Sequence, residues 1–272
     1  VKLALSNIAW EPSEDEAVAR VLLDHGFQGV EIAPTKVWPK PLESTRDDRA
    51  AYRRQWEERG LRIVAMQSLL FGHPEFKLFE DPASRAPMAT YLKAIIDLAA
   101  DLGAGALVFG SPGNRKRGSM PEAEAFEIAT SFFRDLGRHA ASAGVTFCIE
   151  PNPPAYGCDF VQTSTEGAAL VQAVDSVGFG LHLDAAGMRL AGEEPHIAAG
   201  TQFDLIRHFH VSAPQLGPVG SGDVGWYEPI ATTLRDRGYA RWVSVEMRAG
   251  PAGASNLARV TAAAQYCSAV FG

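Results

Sequence analysis

Eight short apolar runs recur along this chain, and a longer segment separates each from the next. The runs are Lys2–Ser6, Gly29–Ala33, Arg62–Gln67, Ala106–Phe109, Thr146–Glu150, Gly178–Asp184, Ile206–Val211 and Trp242–Glu246. Each is long enough for one strand, and several are nearly continuous in apolar residues, as expected of strands covered on both faces. Between them Ala17–Leu23, Tyr91–Leu102, Ala125–Ala141 and Ile230–Arg237 space their apolar residues at helical intervals. Ser13, with Glu16 three residues on, is predicted to cap the first helix. Gly26, Gly60, Gly103, Gly144 and Gly238 each stand just before a strand, where a left-handed glycine closes a helix.

Such alternation admits two architectures, an open doubly wound sheet or a closed (β/α)8 barrel. The open sheet often carries a glycine-rich first turn. Here that turn is Asn7-Ile8-Ala9-Trp10-Glu11-Pro12, with no glycine. A chain of 272 residues has the usual size of a (β/α)8 TIM barrel, and no linker or low-complexity tract divides it. The expectation is α/β, one barrel domain over residues 1–272.

Four of the runs end on residues that bind metals: Cys148-Ile149-Glu150, Leu181-His182-Leu183-Asp184, His208-Phe209-His210 and Ser244-Val245-Glu246. Side chains alternate along a strand, so Glu150 shares a face with Cys148, Asp184 with His182, His210 with His208, and Glu246 with Ser244. The intervening Ile149, Leu183, Phe209 and Val245 then face the helices. Taken singly, each polar residue is equally well explained as a satisfied structural group. Together, so many ionisable groups inside a barrel need a counter-charge. Two glutamates, an aspartate and a histidine suit one divalent cation, Mn²⁺ first, with Mg²⁺, Co²⁺ or Zn²⁺ also suited. His208 and His182 read as groups that orient ligands or line the pocket.

The net charge of −7 argues against a nucleic-acid surface. No apolar stretch approaches the roughly 18 residues of a membrane span. Three widely spaced cysteines fit neither a disulfide framework nor a zinc ribbon, and Val1–Ser6 reads as a strand rather than a leader. These features predict a cytoplasmic protein with a small-molecule substrate.

The motifs Cys148–Pro153, Leu181–Asp184, His208–Val211 and Ser244–Arg248 resemble the xylose-isomerase-like TIM-barrel superfamily, in its sugar-phosphate isomerase/epimerase branch, which includes the ketose 3-epimerases. The segment Leu107–Arg115 is similar to the same branch. The resemblance implies one metal held by Glu150, Asp184, His210 and Glu246. It also implies that Glu150 and Glu246 act as the acid/base pair on opposite faces of a keto-sugar or related polyol, through a metal-stabilised enediolate. A homodimer is implied by the resemblance alone.

The pattern also departs from those relatives. Gly187 stands where the ketose 3-epimerases place a histidine, and Ser212–Gly217 lacks their arginine. Gly187 and Gln67 likewise replace histidines needed for the three-metal cluster of endonuclease IV. Two further readings therefore stay open: a metal-dependent dehydratase acting on a keto-cyclitol or dehydroshikimate-like substrate, and a non-catalytic sugar-binding barrel. Trp10, Glu31, Gln67, Asn152, His182 and Arg248 are the remaining candidates for substrate contact, with an ion pair from Arg248 to Glu31 or Asp223 as its structural alternative. The basic run Asn114–Gly118 reads as a solvated loop rather than a phosphate clamp.

Overall fold

Both architectures place strands side by side in parallel; the pairing of the first strand with the last decides between them. The computed structural model describes residues 1–220 and 225–272, so Asp223 lies outside the described residues. The strands are β1 (Lys2–Ser6), β2 (Gly29–Ile32), β3 (Arg62–Met66), β4 (Ala106–Phe109), β5 (Thr146–Ile149), β6 (Phe179–Asp184), β7 (Ile206–Ser212) and β8 (Trp242–Glu246). They pair in chain order, and β8 returns to β1 through Lys2↔Trp242 to Leu5↔Val245, which closes the barrel. The expected strands are all present, and Glu150 falls just beyond β5 rather than within it.

Helices α1 (Asp15–Asp24), α2 (Pro34–Val37), α3 (Arg46–Glu58), α4 (Pro82–Leu102), α5 (Glu122–Ser142), α6 (Ser164–Val174), α7 (Ala185–Leu190), α8 (Pro195–Thr201), α9 (Tyr227–Asp236) and α10 (Asn256–Phe271) lie between and after the strands. Among the described residues no helix is long and apolar enough to cross a membrane. The α1 start differs from expectation. Pro12, with its preset φ, opens a short 3₁₀ turn, and the reciprocal cap forms between Glu11 and Glu14 rather than Ser13 and Glu16. Helix α4 begins well before Tyr91, at a cap where Asp81 accepts from Ser84 N (2.8 Å). Pro87 and the polar surface of its first turns hide that start from apolar periodicity. The charged α3 buries only Trp56, so it shows almost no apolar stripe.

Ile149, Leu183, Phe209 and Val245 pack under the helices as alternation requires, in a core that includes the ring cluster Phe109, Phe133, Phe147 and Phe179. Small residues, Ala4, Val64, Ala65, Ala106 and Cys148, form a separate cluster with Trp242 against it. The polar inward positions stack towards the strands' C-terminal ends, with Asp184 beside His210 and Ser212 beside Glu246. Register shifts occur between Val30 and Glu31 and between Leu181 and His182. Bulges of this kind re-aim the side chains that follow them.

Candidate metal and acid–base site

His210 stands at the centre of the polar layer, and among the described residues every cluster of converging ligand atoms includes it. Asp184, His210 and Glu246 offer atoms within 4.8 Å of one another, as do Glu150, His182 and His210, and again Glu31, His208 and His210. Three of the four expected ligands, Asp184, His210 and Glu246, thus form one group, whereas Glu150 meets His210 in a separate group with His182. The two faces of that ring differ. Its Nε2 lies 2.9 and 3.1 Å from the two oxygens of Glu31, whereas its Nδ1 lies 3.3 Å from Glu246 Oε2. Although that second contact is close, it lacks hydrogen-bond alignment, so the buried Nδ1 has no hydrogen-bond partner.

Local structure fixes the carboxylates. Asp184 ends β6 and serves as the N-cap of α7, its Oδ1 accepting from Gly187 N (2.6 Å). Its Oδ2 accepts a short hydrogen bond from Ser212 Oγ, which in turn accepts from Ala186 N (3.1 Å). Glu150 sits against Gly110, where an added Cβ would stand 2.2 Å from Glu150 Oε2. Only glycine leaves the carboxylate room there.

Arg115 anchors the backbone behind Glu150. It is fully buried, not part of a solvated loop. Its guanidinium donates to Gly110 O (2.7 Å), Glu150 O (2.7 Å), Val161 O (3.1 Å), Phe160 O and Asn152 Oδ1 (3.0 Å). One planar fork thereby joins the loops after β4 and β5, and no carboxylate among the described residues bonds to it.

Burial and charge crowding together set the protonation of this layer. Burial, then the charges of Asp184 and Glu246, push the Glu150 carboxyl up to about 8, against a smaller pull from His210 and Asn152. Burial and Glu246 raise Asp184 to about 6, opposed by His210, Ser212 and Gly187. For His210, burial is outweighed by Glu31 and Glu246, which hold it well above the ordinary imidazole range. Burial would raise Glu31, but His210 and His208 hold it well below the carboxylate range. Burial and the charges of His210 and His208 drive His182 well below its usual value.

A divalent ion fits this arrangement. The oxygen-rich donor set with one imidazole suits Mn²⁺, Mg²⁺ or Zn²⁺. The unpartnered His210 Nδ1 faces Glu246, and two ligands each about 2.1 Å from one ion would stand about 3.0–3.4 Å apart. The charges of Glu150, Asp184 and Glu246 also crowd one another, a repulsion that a cation among them would relieve.

The other expected site residues divide. Trp10 is buried, donates Nε1–H to Asp15 Oδ1 (2.7 Å) and meets Trp56 edge-on, so it packs the core rather than walling a substrate. Glu31 is fully buried beneath the two histidines, which replaces both a substrate contact and a pair with Arg248. Gln67 donates to Ser6 Oγ (2.7 Å) and accepts from Ser68 Oγ (3.0 Å). Asn152 turns its oxygen to Arg115. His182 is fully buried, with Nε2 3.8 Å from Glu150 Oε1 and neither ring nitrogen hydrogen-bonded. Arg248 is exposed, pairs with no carboxylate among the described residues, and follows Glu246 on a loop whose backbone N donates to Leu216 O (3.0 Å).

Sequence reading gave no role to Ser212, Gly110 or Tyr156, and set Ser244 on the face of Glu246 without naming its partner. Alternation along β7 contained a signal for Ser212, since 208, 210 and 212 share a face. Tyr156, half-buried, accepts from Gln215 N (3.1 Å) and feels the charges of Asp184, Glu246 and Glu150, which with burial raise its hydroxyl. It ties the loop after β5 to the loop after β7. Ser68, Ser111, Val161, Gln215 and Leu216 adopt positive φ, all on loops at this end of the barrel. Backbone strain of that kind costs on the order of 1–3 kcal/mol per residue and collects at functional sites.

The sequence profile of the xylose isomerase-like TIM barrel family matches residues 19–265. The chain belongs to that family. A search of curated proteins finds no match. Among solved structures, D-psicose 3-epimerase from Clostridium cellulolyticum H10, with D-tagatose, superposes with a TM-score of 0.82 at 17% identity, covering 100% of this chain and 99% of its own. L-ribulose 3-epimerase gives 0.81 at 18%, covering 100% and 94%. The IolI protein with a bound zinc atom gives 0.75 at 18%, covering 100% and 98%. At such identities the likeness carries the family's barrel, while the chemistry rests on this chain's own residues.

Proposed function

We propose that this chain is a divalent-metal-dependent isomerase or epimerase that moves a proton at the carbon next to a carbonyl in a keto-sugar or related polyol. The observation that carries the reading is the convergence of Glu150, Asp184 and Glu246 around the His210 ring at the open ends of the strands. Two neighbours in fold are named as sugar 3-epimerases, and a third is named with bound zinc, which supports the same reading.

In this reading Glu150, Asp184, His210 and Glu246 hold one ion, Mn²⁺ first among the candidates. When bound, that ion would polarise the substrate ketone and its neighbouring hydroxyl, acidifying the α-proton. Glu150 and Glu246 stand three strands apart around the barrel, so they approach a substrate over its axis from different sides. One carboxylate takes the proton from carbon, leaving an enediolate on the substrate, and the other carboxyl returns a proton to the opposite face. Asp184, fixed by Ser212 and Gly187, keeps its place while the glutamates exchange protons. The buried floor excludes water from the reacting carbon on the barrel side.

Deuterium incorporation from D₂O into a panel of ketoses, keto-cyclitols and their phosphates tests the proposal. Exchange at the α-carbon that requires Mn²⁺ and stops with chelator is expected. Loss of a β-hydroxyl in place of exchange would replace the isomerase by a dehydratase. Sugar binding that survives metal removal, without any turnover, would replace it by a binding barrel.

A further inference from the structure

Glu31 lies on β2, far in sequence from the candidate ligands, yet it is fully buried against two histidines of β7. His210 Nε2 lies 2.9 Å from its Oε2 and 3.1 Å from its Oε1; His208 Nε2 lies 3.3 Å from Oε2 and 3.0 Å from Ser244 Oγ. These are hydrogen-bond separations. An imidazole that binds an ion through one nitrogen carries its proton on the other. Because Nε2 is committed to Glu31, the lone pair is left on Nδ1, the atom with no hydrogen-bond partner, which faces Glu246.

We infer that Glu31 is a positioning residue for the metal site: its carboxylate accepts the Nε2–H of His210, fixes which nitrogen faces the ion, and holds the ring's angle. This rests on the metal reading above and deepens it. The alternative, a second ion between Glu31, His208 and His210, would have to displace hydrogen bonds that already satisfy the carboxylate. The strand register explains why the contact exists. The shift between Val30 and Glu31 re-aims the β2 side chain, and His208 and His210, two apart on β7, present their rings to the same interior. Ser244, opposite His210 across the β7–β8 ladder, meets the same His208 Nε2 that faces Glu31. The carboxylate thus reaches both rings.

The test compares the wild-type chain with Glu31→Gln, which keeps shape and burial but removes the charge and one acceptor oxygen. Mn²⁺ affinity is measured by electron paramagnetic resonance, folding by thermal melt, and the imidazole proton by ¹⁵N NMR of the Zn²⁺-loaded protein. The expected result is a proton on His210 Nε2 in the wild type, and a loss of about 10- to 100-fold in Mn²⁺ affinity in a folded E31Q. A proton on Nδ1 with the ion on Nε2, or equal Mn²⁺ affinity in the two proteins, overturns the inference and leaves the metal reading intact. A wild type that binds neither ion overturns both. The wild-type NMR result decides the point even if E31Q fails to fold.

Discussion

Replacing Arg115 by leucine should cost this protein both stability and order at Glu150. The guanidinium serves the carbonyls of Gly110, Glu150, Phe160 and Val161 and the side-chain oxygen of Asn152 from a fully buried position. A buried acceptor left without a donor costs about 1–3 kcal/mol. Relaxation and entering water will repair some of them. The buried cation also carries a desolvation cost that leucine removes. Two acceptors left bare at about 2 kcal/mol each give a loss of about 4 kcal/mol. For a domain of roughly this size, 1 kcal/mol shifts Tm by about 2–4 °C, so R115L should melt about 8–16 °C lower. Arg115→Lys keeps the charge but loses the fork, and should fall between the two. Differential scanning calorimetry gives the melts, and Mn²⁺ titration reads the effect on Glu150. An R115L protein melting within about 2 °C of wild type would refute the reasoning, because it would show that the carbonyls do not depend on the guanidinium.

Gly110→Ala should displace Glu150, whose Oε2 stands 2.2 Å from where the new Cβ would lie; weaker Mn²⁺ binding with a nearly unchanged melt is expected in titration and calorimetry. Glu150→Gln and Glu246→Gln should each lower α-proton exchange by at least about 100-fold in D₂O, the usual scale of a lost general acid or base. In metal-free protein, Glu150 at about 8 and Asp184 at about 6 both lie above their unfolded values near 4, so the native state holds extra protons in that window. His182, held below its ordinary value, opposes this below about pH 6.5, where its unfolded form charges, so stability should fall as pH rises from about 6.5 to about 8.5; His210, held above its ordinary value by its carboxylate neighbours, acts in the direction of Glu150. Saturating Mn²⁺ should flatten that fall, and melts at pH 6.5 and pH 8.5, with and without chelator, would show it; a metal-free Tm that rises between those two values would contradict the charge balance.

The barrel was legible because each level of the sequence carried the same message. Apolar runs of strand length, glycines at helix ends and buried alternate residues such as Leu183 and Phe209 all imply parallel strands under helices. Ser13 misled because Pro12 starts its turn earlier, and α3 stayed faint because a helix that buries only Trp56 needs no stripe. At the site, alternation placed Glu150, Asp184, His210 and Glu246 near one ring, since strand ends fix direction within a residue or so. What alternation cannot supply is pairing between distant strands. Glu31 finds His210 from the far side of the sequence, and Arg115 reads as a loop cation until the two loops it joins close over it. Trp10 looked like a pocket wall because a βα position was known and its rotamer was not; its partners Asp15 and Trp56 draw it into the core.

Anomalous diffraction from crystals soaked in Mn²⁺ tests the central claim most directly. One peak bounded by Glu150, Asp184, Glu246 and the Nδ1 of His210 is the predicted result. A peak between Glu31, His208 and His210, or none at saturating Mn²⁺, would contradict it.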